Sequence, residues 1–205
     1  MIRERSWYPI LYMFCVTGFF SSIVIGLTAF TSDRVEANER LAFERAVLSV
    51  IPGVEPKELS RLELHQKFVD LMEEPDEESA GAYVAQRDGR MVGYALPISG
   101  QGFWAPIRGM IGIEPDGQTI TGIAFYEQNE TPGLGAEITT PAFKGQFEGK
   151  EIAGSGPPFD IRRPGTDLDD SAVHGVTGAT QTSDRLEIII NDALRQWRDK
   201  RAMGN

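Results

Sequence analysis

Cysteine is almost missing from this sequence, and histidine is scarce. The 205 residues include one cysteine, Cys15, and two histidines, His65 and His174. Because Cys15 lies within an apolar stretch, residues 33–205 can form neither a disulfide nor a thiolate metal or iron–sulfur site. A lone histidine in a helical stretch, such as His65, is more typical of a surface or hydrogen-bonded residue than of a ligand. The sequence therefore predicts no metal centre.

Positive charge is also in short supply. The chain has 20 Lys and Arg residues against 30 Asp and Glu residues, which gives a formal net charge of −10. Residues 1–32 contribute +1 through Arg3, Arg5 and Glu4, so −11 falls on the remainder. Nucleic-acid binding requires a basic surface, so this class of function is excluded. Solubility is the simplest explanation of the acidity.

Several common enzyme signatures are missing as well. No Gly-x-Gly-x-x-Gly pattern follows a predicted strand, and there is no phosphate-binding P-loop. No serine, histidine and aspartate constellation of the hydrolase type is visible. The sequence therefore predicts neither a Rossmann dehydrogenase nor a hydrolase.

The longest uniform feature is a segment without charge, residues 6–32. Most of residues 9–30 are apolar, which is long enough for a helix to span a bilayer. A cleaved signal peptide is the alternative, but its apolar core is normally about 7–15 residues and ends at a small-x-small site. Ala-Phe-Thr at residues 29–31 matches such a site poorly. We therefore expect an uncleaved transmembrane anchor.

The charges beside this segment predict its orientation. Arg3 and Arg5 precede it, and positive charge tends to stay on the cytoplasmic side. We therefore expect residues 1–32 to be a cytoplasmic N-terminus and a single anchor in the cell inner membrane. Residues 33–205 are then expected to form one extracytoplasmic domain.

Two helices are predicted to follow the anchor. The first covers residues 35–51 and stops at Pro52-Gly53. The second covers about residues 57–72, with one apolar side made of Leu59, Leu62, Phe68 and Leu71. The acidic run at residues 73–78 is interpreted as a solvated loop.

From Ala82 the pattern changes to that of strands. Residues 82–85 and 91–96 flank Asp88-Gly89, a dipeptide typical of a tight hairpin turn. Further strands are predicted at residues 107–113 and 119–126, and residues 154–170 are predicted to be an exposed excursion rich in Gly, Pro and Asp. The predicted fold class is α+β: an antiparallel sheet with packed helices, preceded by one transmembrane helix.

A small, hydroxyl-rich loop at residues 174–183 runs into a final amphipathic helix. Asp184 and Glu187 suggest an acidic helix start. Gly178 and Ala179 allow backbone to approach a ligand closely, and the free N–H groups of a helix start favour an anion. The local pattern is compatible with a phosphate site. The alternative is an ordinary Gly-Ala turn capped by Thr182 or Ser183.

A family resemblance favours the phosphate site. Thr-Gly-Ala-Thr at residues 177–180 resembles the Ser/Thr-Gly-Ala-Thr flavinylation motif of bacterial FMN-binding domains. Glu-Thr-Pro-Gly-Leu-Gly at residues 130–135 resembles a segment of the C subunit of the Na⁺-translocating NADH:quinone oxidoreductase (Nqr), and a similar segment of the G subunit of the related Rnf complex. Residues 99–104 and 125–128 also resemble segments of the Nqr protein, in the same order along the chain.

The resemblance implies a covalent FMN, held by a phosphoester on Thr180. The other residues implied or suited to contact it are Thr177, Gly178, Ala179, Thr182, Glu130, Thr131, Gly133, Leu134, Gly135 and Trp104. The glycines would bring backbone N–H groups to the ring edge, and Leu134 would lie against the ring. For Trp104 and Phe103, packing in the core is the alternative. Glu130 and Thr131 would either polarise the ring or close the turn.

The resemblance also implies a function: a membrane-anchored subunit that carries electrons within an ion-translocating Nqr-like or Rnf-like complex. Its partners would be other membrane subunits and a flavin transferase that attaches the FMN. The alternatives are a stand-alone FMN reductase of the cell envelope and a non-redox adaptor that has lost its flavin. One departure from the family pattern concerns maturation, because His174 stands where flavinylation motifs commonly have Asp.

Overall fold

The computed structural model describes residues 7–204, so Arg3 and Arg5, on which the predicted orientation depends, lie outside the described residues. The first element is a long helix, α1 (Tyr8–Ser49). It contains an 18-residue window of mean hydropathy 2.1 and is long and apolar enough to cross a membrane. The predicted anchor and the helix over residues 35–51 are therefore one continuous helix.

The chain divides between Arg40 and Leu41 into two compact units. In the first unit, the apolar side chains of α1 are largely exposed, among them Phe14, Phe20 and Phe30. In the second unit, the last turns of α1 bury Ala46, Val47 and Leu48. The predicted stop holds, since α1 ends just before Pro52-Gly53.

The second unit is built on a five-stranded antiparallel sheet, which confirms the predicted fold class. The strands are β1 (Met72–Glu73), β2 (Tyr83–Arg87), β3 (Arg90–Gln101), β4 (Pro106–Ile113) and β5 (Ile120–Glu127). They lie side by side in sequence order, and each pairs antiparallel with the next. The predicted hairpin is the β2–β3 turn, where Asp88 and Gly89 both have positive φ, at 53° and 72°.

Side chains alternate between the two faces of this sheet. On β3, Tyr94, Leu96 and Ile98 contribute to one apolar cluster, whereas Ala95 contributes to the other. The first cluster includes the buried face of the last helix, α4 (Thr180–Gly204). The second includes the end of α1 and Leu64 of α2 (Arg61–Leu71). Both faces are therefore covered, and α4 packs on β3 so closely that a Cβ at Gly100 would lie 2.5 Å from Ile189.

The prediction for α2 was wrong in its start and in part of its apolar face. Ser60 caps the helix through a reciprocal capping box with Glu63, so α2 begins at Arg61 and not near residue 57. Leu64 is the buried residue, while Leu62 is 70% exposed. The acidic run was also only partly a loop, because Glu73 pairs with Val84 as the end of β1.

The predicted exposed excursion is anchored in the core. It contains β6 (Asp160–Arg162), which pairs in parallel with β7 (Ala172–His174). Phe159 is 1% exposed and stacks on Phe147 with ring centroids 5.2 Å apart. Its backbone N–H and C=O both bond to the side chain of Asn191. Three short helical segments precede β6: 3₁₀ turns at Gly135–Thr139 and Gly145–Phe147, and α3 (Pro141–Lys144).

Candidate functional site

Three separate segments meet around an open cavity of about 440 Å³. They are the loop after β3, the turn after β5 and the first turn of α4. The lining residues are Phe103, Trp104, Glu130, Thr131, Leu134, Gly135, Gly178, Ala179, Thr180, Gln181 and Thr182. The cavity has the size and mixed polarity of a small-molecule site.

The structure brings together most of the residues predicted from the sequence. One cavity is lined by Thr180, Thr182, Trp104 and four residues of the turn after β5, which are Glu130, Thr131, Leu134 and Gly135. Thr177 is exposed and does not line it, and neither does Gly133. Gln181 lines the cavity but was missed, because its place depends on where α4 begins.

The start of α4 differs from the prediction. The helix begins at Thr180, four residues before Asp184, so Thr182 and Ser183 are buried in its first turn. Thr182 is therefore not a cap. The preceding residue, Ala179, has no side-chain acceptor for the N–H groups of the first turn, which have no partner within a helix. The helix thus presents N–H donors at the cavity.

Side chains hold the loop before α4 in place. Gln146 bonds to both backbone groups of His174, accepting from its N–H at 2.9 Å and donating to its C=O at 3.1 Å. The Ser183 hydroxyl accepts from the N–H of Val176 at 3.1 Å. The His174 ring points to another partner, with Nε2 lying 2.9 Å from the C=O of Thr166. The loop is fixed on either side of the exposed pair Thr177-Gly178.

Glu130 lies at the centre of the three segments and is only 4% exposed. Its Oε1 accepts a hydrogen bond from the backbone N–H of Trp104 at 3.0 Å. Its Oε2 accepts from the Thr182 hydroxyl at 2.7 Å. Both oxygens therefore have partners in the protein. The Glu130 backbone is also fixed, because its N–H donates to Gln128 Oε1 at 2.8 Å.

Two glycines make room for this carboxylate. A Cβ at Gly102 would lie 2.6 Å from Glu130 Oε1, and one at Gly135 would lie 2.8 Å from Oε2. Both distances are far below van der Waals contact, so a side chain at either position would displace the carboxylate. These glycines are needed for close approach, and not for an unusual φ.

The turn after β5 is closed by its own backbone. The C=O of Thr131 accepts from the N–H groups of Leu134 and Ala136, both at 3.1 Å. Gly133 allows this turn with a φ of +74°. Leu134 is exposed beside Gly178, where an added Cβ would lie 3.2 Å from Leu134 Cδ2.

The two aromatic residues are not core residues. Trp104 is 67% exposed and Phe103 is 44% exposed, so the alternative that they pack in the core is wrong. Their rings contact each other edge to face, with centroids 4.9 Å apart. They add apolar surface at the mouth of the cavity, where a flat ligand can lie against it.

The site segments coincide with a match to a known family. Residues 102–195 match the family model of the FMN-binding domain. This range includes all three segments that line the cavity.

Relatives of known identity agree with this family. The chain is 33% identical over 129 residues to the C subunit of the Na⁺-translocating NADH-quinone reductase of Pasteurella multocida, covering 61% of this chain and 48% of the relative. It is 49% identical over 76 residues to the same protein of Chlamydia pneumoniae, covering 37% and 24%. The chain therefore spans less than half the length of these relatives.

A solved structure agrees as well. The C subunit of the Na⁺-translocating NADH-quinone reductase from Parabacteroides distasonis superposes with a TM-score of 0.67 and 26% identity, covering 81% of this chain and 94% of that one. The fold and the family match together indicate an FMN-binding domain that includes residues 102–195. Over the matched residues, the chain is homologous to the C subunits of the Na⁺-translocating NADH-quinone reductase. This homology and the apolar part of α1 indicate a membrane-anchored protein.

Proposed function

We propose that this chain carries FMN covalently on Thr180 and passes electrons between neighbouring redox groups of an Nqr-like complex. The observation that carries the proposal is the position of Thr180, whose exposed side chain lies at a cavity formed by the other motif residues. The family match to the FMN-binding domain supports the cofactor. The homologues favour an Nqr-type over an Rnf-type assembly.

The environment of the three neighbouring threonines favours Thr180 as the attachment residue. Thr182 is buried, and its hydroxyl hydrogen is committed to Glu130. Thr177 is exposed but lies outside the cavity lining. Thr180 alone of the three is both exposed and part of the lining, so a transferase can reach its hydroxyl and the attached flavin can enter the cavity.

The residues of the cavity suit the two ends of FMN. A phosphate on Thr180 keeps negative charge, which the N–H groups in the first turn of α4 stabilise. Leu134, Phe103 and Trp104 offer apolar surface to the flat ring. The flavin supplies the redox chemistry, and the chain binds and orients it and limits its contact with water.

The proposal includes a place in the membrane and a set of partners. Residues 6–32 would anchor the chain in the inner membrane with its N-terminus in the cytoplasm and residues 33–205 outside it. The other membrane subunits of the complex would give and take the electrons. A flavin transferase would attach the cofactor to the Thr180 hydroxyl.

Mass spectrometry of the peptide spanning residues 172–185 tests the attachment. In the full chain co-expressed with a flavin transferase, this peptide should carry the mass of FMN less one water. Thr180→Ala should abolish the increment while the far-UV circular dichroism is unchanged. Thr177→Ser, which the Ser/Thr position of the motif allows, is the control and should keep the increment.

Two outcomes would contradict the proposal at different points. Covalent flavin that persists in Thr180→Ala would move the attachment to another residue. An unmodified wild-type peptide would instead implicate His174, and His174→Asp, which restores the residue common in flavinylation motifs, should then restore the increment. Purification of a flavin-bearing chain without any other membrane subunit would favour a stand-alone reductase.

A further inference from the structure

We propose that Glu130 is a positioning residue that sets the shape of the flavin site through Trp104 and Thr182, without itself bonding to the flavin. This inference rests on the proposed FMN function and deepens it. Its basis is the way in which one buried carboxylate joins the three segments that line the cavity.

The three segments are distant in the chain, and few polar contacts connect them. Trp104 lies 26 residues before Glu130, and Thr182 lies 52 residues after it. Within the described residues 7–204, no backbone–backbone hydrogen bond joins residues 102–104, 130–135 and 180–182 to one another. The two side-chain bonds of Glu130 are therefore the polar connection between the segments.

The carboxylate has little freedom to do anything else. Each oxygen already accepts one hydrogen bond, and the close approach at Gly102 and Gly135 encloses it from two sides. Glu130 thus faces protein donors, and its influence on a bound ring passes through the residues that it holds. This differs from a residue that polarises the ring directly.

Each partner of Glu130 controls a part of the site. Thr182 lies two residues after Thr180 in the first turn of α4, so fixing Thr182 also fixes the backbone from which the Thr180 hydroxyl extends. The Trp104 backbone is fixed at its N–H, which holds the Cα that carries the exposed ring at the cavity. Loss of Glu130 would therefore loosen the attachment point and an apolar wall together.

Two substitutions separate this role from a need for charge. In Glu130→Gln, the amide oxygen can accept from the Trp104 N–H, and the NH₂ can donate to the Thr182 hydroxyl, which also accepts. Both connections are then preserved without the charge. In Glu130→Leu, the volume is similar but both partners lose their bond, which leaves a buried donor unpaired.

A matched control separates this role from general stability. Asn191 is also buried, and its side chain bonds to both backbone groups of Phe159, at 2.8 Å each. Asn191→Leu therefore breaks two buried hydrogen bonds away from the cavity. It should lower the melting temperature about as much as Glu130→Leu does, but it should leave the flavin site intact.

The experiment compares the full chain and these variants, each co-expressed with a flavin transferase. The readouts are the fraction of chains carrying FMN by intact mass, the visible circular dichroism of the flavin, its midpoint potential and the melting temperature. For Glu130→Leu we expect about tenfold less covalent FMN and an altered visible dichroism, because small misplacements of reacting groups strongly slow a reaction. Glu130→Gln and Asn191→Leu should both stay within about twofold of the wild type in FMN content.

The outcomes distinguish this inference from the proposed function. If the wild type carries no FMN, the proposed function fails. If the wild type carries FMN, and Glu130→Leu matches it in FMN content, dichroism and potential, the positioning role is overturned. If Glu130→Gln is as poor as Glu130→Leu, the charge and not the connection between segments is what the site requires, and the inference is again wrong.

Discussion

Gly133 and Gly149 are two residues with the same backbone conformation in different places. Both have a φ of +74°, and neither would bring an added Cβ within 4 Å of another group. A β-branched residue is strained in this region, by about 1–2 kcal/mol. Gly133→Val should therefore lower stability by about this amount and alter the turn beside Leu134, without unfolding the domain.

The flavin spectrum and midpoint potential test whether that turn lies at the ring. We expect the spectrum and the potential to change in Gly133→Val and to stay the same in Gly149→Val. The two variants should lose a similar amount of unfolding free energy. Gly133 does not line the cavity itself, so its effect would act through Leu134. An unaltered flavin in Gly133→Val would place this turn away from the ring.

Glu187 gives the domain a pH dependence of defined sign. Partial burial raises the pKa of its carboxyl above the usual 4.5, and the charges of Asp160 and Asp184 raise it further, against the hydrogen bond that Ile161 donates. The folded-state pKa thus exceeds the unfolded one. The contribution of Glu187 to stability is therefore fully present below pH 4.5 and is lost as the pH rises through the raised pKa.

The variant Glu187→Gln should remove this dependence, because its amide oxygen can still accept from the Ile161 N–H. In urea unfolding between pH 4 and 8, the free energy of unfolding of the Glu187→Gln variant should increase relative to that of the wild type as the pH rises. Glu63→Gln is a control of opposite sign, since hydrogen bonds from the Ser60 side chain and backbone N–H lower the pKa of Glu63 and stabilise its charged form. The stabilisation by Glu63 is fully present above pH 4.5 and is lost as the pH falls through the lowered pKa. With the urea series extended below pH 4, the Glu63→Gln variant should therefore lose stability relative to the wild type as the pH rises towards 4.5 and stay level above it. A Glu187→Gln curve parallel to the wild type would contradict the assignment.

Among the helices and strands, the sequence predicted best what depends on local pattern. The Asp88-Gly89 turn fixed the β2–β3 hairpin, and alternating apolar residues located β4 and β5 to within about one residue. The predicted first residues of α2 and α4 were wrong. In the structure α2 begins directly after Ser60 and α4 directly after Ala179, and the periodicity of apolar residues does not show these boundaries. The error at α4 mattered for function, since it concealed Gln181 and made Thr182 look like a cap.

The candidate site was predictable in its members but not in its connections. The family resemblance identified Glu130, and the local pattern of hydroxyl residues identified Thr182, 52 residues further along the chain. That they bond to each other follows from the packing of α4 on β3 and from the space left at Gly102 and Gly135. Such tertiary proximity carries no signal in a single sequence.

The excursion at residues 154–170 illustrates how composition misleads. Gly, Pro and Asp indicated an exposed loop, but Phe159 packs within the core against Phe147. Phe159→Ala should destabilise the domain by about 3–5 kcal/mol, the usual effect of deleting a buried aromatic ring. Urea unfolding monitored by far-UV circular dichroism measures this loss.

Phe103→Ala is the matched comparison for that measurement. The same side chain is removed there from a position that is 44% exposed, so stability should change by less than about 0.5 kcal/mol. The flavin environment should change instead, because Phe103 lines the cavity. Equal destabilisation by the two variants would mean that β6 and its flanking residues are not anchored through Phe159.

For the molecule as a whole, charge and hydropathy separate along the chain. The apolar stretch lies within residues 6–32, and the acidic excess of −11 lies in residues 33–205. Anionic lipid headgroups attract basic segments, so they do not attract an acidic domain electrostatically. We therefore expect contact with the membrane through the helix and not through the acidic surface.

The proposed orientation of the anchor determines on which side of the membrane residues 33–205 would lie. Arg3 and Arg5 before an uncharged segment predict a cytoplasmic N-terminus. A reporter enzyme that folds only outside the cytoplasm should be active when fused after Asn205, and a reporter that works only in the cytoplasm should be inactive there. The same fusions without residues 1–32 are the control and should give the reverse pattern.

The intact mass of the membrane-extracted chain should still include residues 6–32, because an anchor is retained and a signal peptide is removed. A shortened chain would contradict the anchor, and activity of the cytoplasmic reporter in the full-length fusion would contradict the orientation.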